Sequence, residues 1–210
     1  MKQSKIHLST KIPSKVILAC SGGCDSMSAL DFLLSGKKEV IVAYFNHGTL
    51  HGEKAEEFIT EYCAERSLSL FLGSCSKQKE KHQSLEEYWR EERLGWLERV
   101  SKIHQMPVIT CHHLDDAVEW WLFSSFHGTG KIIPCERPPF IRPFLLTRKE
   151  TLKSWNIRKE VPWIEDPSNN KKEFMRNYIR HELVPRVLNV NPGIHKVVAK
   201  KIKDWHEKPI

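Results

Sequence analysis

The segment best suited to chemistry is a short glycine-rich turn between a predicted strand and a predicted helix. Residues 16–20 form an apolar run that leads directly into Ser21-Gly22-Gly23-Cys24-Asp25-Ser26. Adjacent glycines allow a tight turn that brings backbone N–H groups close to a ligand, and the helix start adds partial positive charge. The turn therefore predicts an anion cradle, with the Ser21 and Ser26 hydroxyls as further donors. An ordinary glycine-rich turn is the alternative, and neither the Walker A nor the dinucleotide pattern is met.

A second group of polar residues follows the apolar run at 108–111. His112, His113, Asp115 and Asp116 come at the start of a helical pattern, where open parallel sheets bind their ligands. A carboxylate here could pair with a cationic substrate group or act as a general base. The four side chains could also hold a metal, but zinc is disfavoured because no further Cys or His completes a ligand set. A helix-capping role is the alternative for Asp115.

Basic residues accumulate toward the end of the chain. Residues 137–210 contain 17 Lys+Arg and 8 Asp+Glu, whereas residues 1–136 contain 16 and 18. Arg176 and Arg180 are four residues apart, so we predict them on one helical face, close to Lys171 and Lys172. Such a stripe is typical of contacts to RNA phosphates. A solvated basic helix that packs on the rest of the protein is the alternative.

Alternating patterns predict the elements that position these residues. Short apolar runs predict strands at 15–20, 40–45, 68–72 and 108–111, and amphipathic stretches predict helices at 25–34, 53–66, 84–104 and 114–126. Ser84 and Glu87 are predicted to form a capping box for the third helix. This rhythm predicts an α/β fold with a parallel sheet.

The composition changes after Phe126, where glycines and prolines predict a loop or crossover. A boundary falls near Leu146, and Thr147 with Glu150 predicts a capped helix to about residue 156. Helices are also predicted at 173–190 and after residue 193. We therefore expect a domain at 1–146 and a basic helical extension at 147–210.

Composition places the chain among soluble globular proteins. It has 210 residues, 40% hydrophobic and 28% charged, and contains no apolar run of the ~20 residues that a membrane span needs. Six cysteines without a C-x-x-C pair predict reduced thiols. We therefore expect a cytoplasmic protein with no membrane partner, in which most tryptophans, such as Trp96 and Trp120, lie in the core.

The order of several motifs resembles one known family. The turn at 21–26 resembles the loop of the ATP-pyrophosphatase (PP-loop) superfamily, whose members adenylate a substrate oxygen and release pyrophosphate. Five more segments are similar to motifs of the tRNA(Ile)-lysidine synthetase family: 44–48 (V-N-H-G), 89–94 (A-R-x-x-R-Y), 110–116 (T-A-H-H-x-D-D), 141–145 (x-R-P-L-L) and 163–180 (W-x-E-D-P-S-N…R-N-x-I-R). The resemblance covers about residues 15–193.

This resemblance implies a Rossmann-like PP-loop domain and a particular reaction. ATP with Mg²⁺ would activate the C2 oxygen of a wobble cytidine in an isoleucine tRNA with a CAU anticodon. The ε-amine of free L-lysine would then attack the adenylated base, giving lysidine, AMP and pyrophosphate. The chain would thus be a ligase.

The resemblance also implies roles for individual residues. The residues of the turn would hold the β- and γ-phosphates, and Asp25 would bind Mg²⁺ or orient the turn. Arg90 would reach a phosphate or stabilise charge at the α-phosphorus, with a helical pairing to Glu86 or Glu87 as the alternative. Asp116 would handle the lysine amine. The other implied contacts are His47, His112 and Asp115 to nucleotide or substrate, and Lys171, Lys172, Arg176 and Arg180 to tRNA.

Two departures from the family pattern leave other functions open. No Arg follows His47-Gly48, and the family usually continues into C-terminal domains that separate isoleucine tRNA from methionine tRNA. We expect a minimal form in which the anticodon arm alone or a homodimer partner supplies that discrimination, or in which the discrimination is relaxed. The rival functions are another PP-loop tRNA enzyme, such as a thiolase, and a non-catalytic RNA-binding descendant. Cys20 and Cys24 flank the turn without forming C-x-x-C, which counts against a thiolase.

Overall fold

The computed structural model describes residues 5–75, 82–167 and 175–206. Within these ranges the strands are β1 Lys15–Ala19, β2 Glu39–Asn46, β3 Ser69–Ser74, β4 Val108–Ile109, β5 Glu136–Arg137 and β6 Phe140–Ile141. They form one sheet in the order β3-β2-β1-β4-β6-β5. All neighbouring strands are parallel except β5 and β6, so the predicted parallel sheet is confirmed.

Helices alternate with the strands and then fill the C-terminal part. The described helices are α1 Cys24–Ser35, α2 Leu50–Glu65, α3 Leu85–His104, α4 Leu114–Phe126, α5 Lys149–Lys159, α6 Met175–Tyr178, α7 Val184–Val190 and α8 Ile194–His206. A π-helical segment, Ile179–Leu183, joins α6 to α7. The predicted α/β class and the helical C-terminal end are both confirmed.

Strand β1 is the centre of the core because it is buried on both faces. Val16 and Leu18 pack with α1 and α2, whereas Ile17 points the other way, toward Leu97 of α3. The chain leaves β1 toward β2 on one side and later returns to β4 on the other side. The edge between β1 and β4 is therefore a topological switch point, where open sheets bind ligands.

The C-terminal helices support the two helices that begin at this switch point. Helix α5 packs on α1, and its Leu152 lies in the same core cluster as the β1 residues. Helix α8 packs on α4, with Val198 and Ile202 in a second cluster. Residues on both sides of position 146 thus share hydrophobic cores.

Three local predictions are corrected or extended by the structure. Thr147 does not cap α5; its hydroxyl donates to the His7 carbonyl (2.7 Å) and accepts from the His7 N–H (3.0 Å). The predicted loop at 127–146 contains the β5–β6 hairpin. Trp96 packs against the core as predicted, but Trp120 is 40% exposed. Of the capping box predicted for α3, the structure shows the bond from the Glu87 N–H to the Ser84 hydroxyl.

Two other features bear on the composition. All six cysteines are free thiols. No helix in the described ranges is both long enough and apolar enough to cross a membrane.

Candidate active site at the switch point

The glycine-rich turn folds into a compact cradle at the end of β1. The Ser26 hydroxyl accepts from the Ser21 N–H (3.2 Å) and donates to the Gly23 carbonyl (3.0 Å). Gly23 is the N-cap of α1, and no side chain within the described ranges caps that helix. The first N–H groups of α1 therefore remain available to an anion, as the cradle prediction requires.

The backbone conformation and the close neighbours of Gly22 require a glycine at this position of the turn. Its φ of +77° is rare for residues with a side chain, and an added Cβ would lie 3.3 Å from both Ile164 and Phe58. The Ile164 N–H donates to the Gly22 carbonyl (3.0 Å). The segment that resembles the W-x-E-D-P-S-N motif thus packs directly on the cradle.

Asp25 lies at the inner side of the cradle and has one unused oxygen. Its Oδ1 is buried without a hydrogen-bond partner in the described structure. Its Oδ2 lies 3.5 Å from His113 Nε2 and 3.7 Å from Lys149 Nζ. An unpartnered carboxylate oxygen fits Mg²⁺, which prefers oxygen ligands and takes most of them from water and phosphate. Among the described residues no three His, Cys, Asp or Glu side chains cluster as a metal site.

His113 connects the cradle to the start of α4. Its Nδ1 accepts from the Asp116 N–H (3.2 Å), and Asp116 Oδ2 accepts from the His113 N–H (3.0 Å), which makes a reciprocal cap. Burial alone would lower the pKa of His113, but the carboxylates of Asp116, Asp25 and Asp115 outweigh it and raise that pKa. Three carboxylates thus favour the protonated imidazole, whereas the bond that Nδ1 accepts from the Asp116 N–H belongs to the neutral form.

Arg180 joins the π-helical segment to the acids of α4. Its Nε donates to Glu119 Oε1 (2.7 Å), and its Nη2 donates to Asp116 Oδ1 (3.1 Å) and Glu119 Oε2 (3.0 Å). Burial works against the Arg180 charge, but the bonds and charges of these acids outweigh it and raise the pKa of Arg180. The π-helical segment begins between Arg176 and Arg180. The side chain of Arg176 lies outside the described residues, so the shared face of this pair stays a prediction.

Asp115 holds three elements together. It accepts from Arg148 Nε (3.1 Å), from the Lys149 N–H at the start of α5 (2.8 Å), and pairs with His195 of α8 (3.1 Å). Burial opposes ionisation of Asp115, but these hydrogen bonds and nearby cations outweigh it and lower its pKa. The capping role considered for Asp115 is thus present, although the capped helix is α5 rather than α4.

His47 and His112 lie at the carboxyl ends of β2 and β4. The His47 ring lies 5.2 Å from that of Phe45 and 5.3 Å from that of Trp89. Burial, followed by the charge of Arg93, lowers the pKa of His47 to about 4, so the ring is neutral at pH 7. His112 Nδ1 shares a hydrogen bond with the Thr110 hydroxyl (3.0 Å).

Arg90 lies in the first turns of α3 and is exposed. In the described part of the chain it forms no ion pair with Glu86 or Glu87. Burial, followed by the charge of Arg90, lowers the pKa of Arg142, so the two guanidinium groups repel each other.

The remaining predicted RNA contacts cannot be placed in the same way. Lys171 and Lys172 lie outside the described residues, as does the side chain of Arg176.

Sequence reasoning missed two relationships that organise the site, because it considered His113 only as a possible metal ligand and did not consider Glu119. His113 bridges the cradle and the acids, and Glu119 shares Arg180 with Asp116. The His-x-x-Asp spacing from His113 to Asp116 is a capping-box pattern and could have indicated the first. Glu119 is three residues after Asp116, on the same helical face.

A parallel sheet whose phosphate cradle and acid cluster meet at the switch point defines a nucleotide-binding α/β protein. A family model described as a PP-loop domain matches residues 2–187, and the chain belongs to that family. The resemblance inferred from the sequence motifs is confirmed.

Curated relatives carry the name tRNA(Ile)-lysidine synthase. The protein from the aster yellows witches'-broom phytoplasma is 31% identical over 195 residues, which cover 88% of this chain and 44% of the relative. The protein from Pseudothermotoga lettingae is 30% identical over 199 residues, which cover 89% of this chain and 44% of the relative. The protein from Thermotoga maritima is 28% identical over 204 residues, which cover 91% of this chain and 49% of the relative. The chain spans about half the length of the curated relatives it matches.

Solved structures agree with the fold. An NMN synthetase from Francisella tularensis has a TM-score of 0.54 at 11% identity, covering 93% of this chain and 87% of that one. An NH3-dependent NAD synthetase from Campylobacter jejuni has a TM-score of 0.51 at 17% identity, covering 96% of this chain and 90% of that one. These likenesses concern the architecture alone.

Proposed function

We propose that this chain ligates L-lysine to the C2 position of the wobble cytidine in an isoleucine tRNA with a CAU anticodon. ATP would first adenylate the C2 oxygen, and the lysine ε-amine would displace AMP to give lysidine. The names of the curated relatives support this choice among PP-loop reactions.

One observation carries the proposal: the phosphate cradle and the acid cluster are joined through His113. Its Nε2 lies 3.5 Å from Asp25 and its Nδ1 accepts from the Asp116 N–H. A reaction that both splits ATP and deprotonates an amine needs these two functions side by side. The geometry supports a two-step ligation at one site.

The cradle would bind the departing pyrophosphate. Uncapped N–H groups of α1 and the Ser21 hydroxyl would donate to its oxygens. Asp25 would hold Mg²⁺ through its unpartnered Oδ1, and the ion would supply charge neutralisation on the phosphates. Arg90 and Arg142 would add positive charge where negative charge develops at the α-phosphorus.

The acids of α4 would receive the lysine side chain. Asp116 and Glu119 are both buried, and both accept from Arg180. An incoming ammonium group would pair with these carboxylates. Asp116 would then take a proton from the amine before attack, aided by the neighbouring His113.

The tRNA would bind along the basic C-terminal part. Residues 137–210 carry the positive excess of the chain. We assign phosphate contacts to Lys171, Lys172 and Arg176, and propose that Arg180 takes part by positioning the acids, since its guanidinium is bonded to them.

The thiolase alternative is opposed by the cysteines of the site. Burial raises the pKa of the Cys20, Cys24 and Cys111 thiols, and the charge of Asp25 raises it further for the last two. These thiols therefore stay protonated at neutral pH, whereas sulfur transfer needs a reactive thiolate.

The test is pyrophosphate release from ATP by the purified chain, with lysine and the isoleucine tRNA added singly and together, followed by nucleoside mass spectrometry. A cytidine heavier by a lysine residue is the expected product. Release that needs tRNA but not lysine, with no such mass, would overturn the lysine assignment. Tight tRNA binding without any release would favour a binding protein.

A further inference from the structure

Helix α5 presents one face to the phosphate cradle. Lys149, Lys153 and Asn156 share that face, because they are spaced four and three residues apart along the helix. At one end of the face, Lys149 Nζ lies 3.7 Å from Asp25 Oδ2. At the other end, Asn156 Nδ2 donates to the Cys24 carbonyl (2.8 Å). Cys24 and Asp25 are the first two residues of α1, so this face lies along the first turn of that helix.

The middle residue of the face, Lys153, also acts on the first turn of α1. Burial of the Cys24 thiol raises its pKa, and the charges of Lys149 and Lys153 oppose this effect. Lys153 is exposed and the side chain of Lys149 is 44% exposed, so a ligand can reach both ammonium groups from solvent. Two mobile cations therefore lie beside the N–H groups that form the cradle.

The charge of the cradle calls for such cations. The N–H groups of α1 offer only partial positive charge, and Asp25 places a full negative charge next to them. His113 contacts Asp25 Oδ2 (3.5 Å), but it is 1% exposed and enclosed by protein. The 3.7 Å between Lys149 Nζ and Asp25 is too long for a hydrogen bond, so the three N–H donors of Lys149 are not committed to that carboxylate.

We propose that Lys149 and Lys153 bind phosphate oxygens of the nucleotide from the side of α5, together with the N–H groups of α1. Their two charges offset the repulsion between Asp25 and the phosphates, and they stabilise the charge left on the departing pyrophosphate. The inference deepens the proposed function, and it rests on that function for the use of the cradle as the pyrophosphate site.

The test measures the binding of inorganic pyrophosphate by calorimetry, in buffer with Mg²⁺ and without tRNA or free lysine. Lys149→Gln and Lys153→Gln should each weaken binding about tenfold, the effect of losing one charge-assisted hydrogen bond. Lys149→Arg and Lys153→Arg, which keep the charge, should retain most of the affinity. Circular dichroism checks the fold of every variant.

The matched control is Lys159→Gln, which removes the same charge from the exposed far end of α5, about 15 Å along the helix from Lys149. It should bind pyrophosphate as the wild type does. If folded Lys149→Gln and Lys153→Gln also bind normally, neither side chain contacts phosphate and the proposal fails. It fails as well if Lys159→Gln loses as much affinity as they do, because the effect would then be one of net charge.

A second background separates a phosphate contact from an indirect role of Lys149. If Lys149 contacts phosphate, Lys149→Gln should weaken pyrophosphate binding in Asp25→Asn as it does in the wild type. A loss that disappears in Asp25→Asn would show that Lys149 acts only by holding Asp25, and would overturn its phosphate contact.

Pyrophosphate binding needs neither tRNA nor free lysine, so failure of this inference is distinguishable from failure of the proposed function. Unchanged binding in the variants, with tRNA-dependent pyrophosphate release intact in the wild type, removes the roles of Lys149 and Lys153 alone. The expected pattern of binding in a protein that forms no lysidine removes the proposed reaction and supports the phosphate contacts. A wild type that binds no pyrophosphate removes both.

Discussion

The Nε2 atom of His113 lies 3.5 Å from Oδ2 of Asp25, so the first residues of α4 contact the phosphate cradle of α1. The parallel pairing of β1 with β4 brings these two helix starts together. His113 is buried, and its reciprocal cap with Asp116 fixes the ring. A change in charge at the cradle therefore alters the protonation of His113, which contacts Asp116 of the acid cluster.

The protonation of His113 should make stability depend on pH. Its pKa is raised above 6.5 in the folded protein, so its charge contributes stability that is complete below 6.5 and is lost as pH rises through the raised pKa. In urea unfolding, the stability difference between wild type and His113→Gln should be larger at about pH 6 than at about pH 9. The exposed His206→Gln control should show no such trend, and an equal difference at both pH values would contradict the raised pKa.

Removing the Asp25 carboxylate should abolish catalysis with little effect on the fold. In Asp25→Asn the side chain keeps its shape but loses the charge that would hold Mg²⁺ and that raises the pKa of His113. We expect no pyrophosphate release above background, and an imidazole pKa of His113 in NMR titration below the wild-type value. Asp204 is an exposed residue of α8, and Asp204→Asn is the control. It should retain both pyrophosphate release and the wild-type pKa of His113. Wild-type turnover in Asp25→Asn would remove this residue from the mechanism.

Local patterns predicted the elements well because each follows from residues close in sequence. The bounds of α4 agree with prediction at both ends, and the apolar runs of β1 and β2 are buried as expected. The organisation of the site could not be predicted in this way. Arg180 reaches Glu119 across 61 positions because the C-terminal helices fold back on α4, and no spacing rule encodes that packing.

The same limit applies to helix ends. Thr147 and Glu150 have the spacing of a capping box, but the acid that receives the first N–H of α5 is Asp115 of another helix. The Thr147 hydroxyl bonds instead to the backbone of His7, 140 positions away. A local motif is thus overridden when tertiary contacts satisfy the same backbone groups.

Gly73 of β3 should not tolerate a side chain. A Cβ there would lie 2.3–2.6 Å from the indole ring of Trp96, which α3 packs onto the strand. We expect Gly73→Ala to lower the free energy of unfolding by about 1–3 kcal/mol, as overpacking does. Gly95→Ala, one residue before Trp96 within α3, meets no atom closer than 3.8 Å and should raise it by about 0.5–1 kcal/mol. Urea unfolding of both variants tests the contrast, and a stable Gly73→Ala would show that Trp96 can move away.

Arg180 should act as a structural clamp of the acid cluster rather than as a free phosphate contact. Arg180→Ala removes the guanidinium that is bonded to Asp116 and to the 4%-exposed Glu119, so we expect a loss of about 3 kcal/mol in the free energy of unfolding. Because a buried carboxylate that loses a neighbouring cation is protonated more easily, this loss should diminish as pH is lowered from neutrality toward the range in which carboxylates protonate.

The exposed Arg186→Ala is the matched control and should unfold as the wild type does. If Arg186 or Arg176 contacts RNA phosphates, its removal should reduce the slope of binding affinity against salt by about one, while Arg180→Ala should leave that slope unchanged in protein that remains folded. A reduced slope for Arg180→Ala, with unchanged stability, would return Arg180 to the RNA-binding surface.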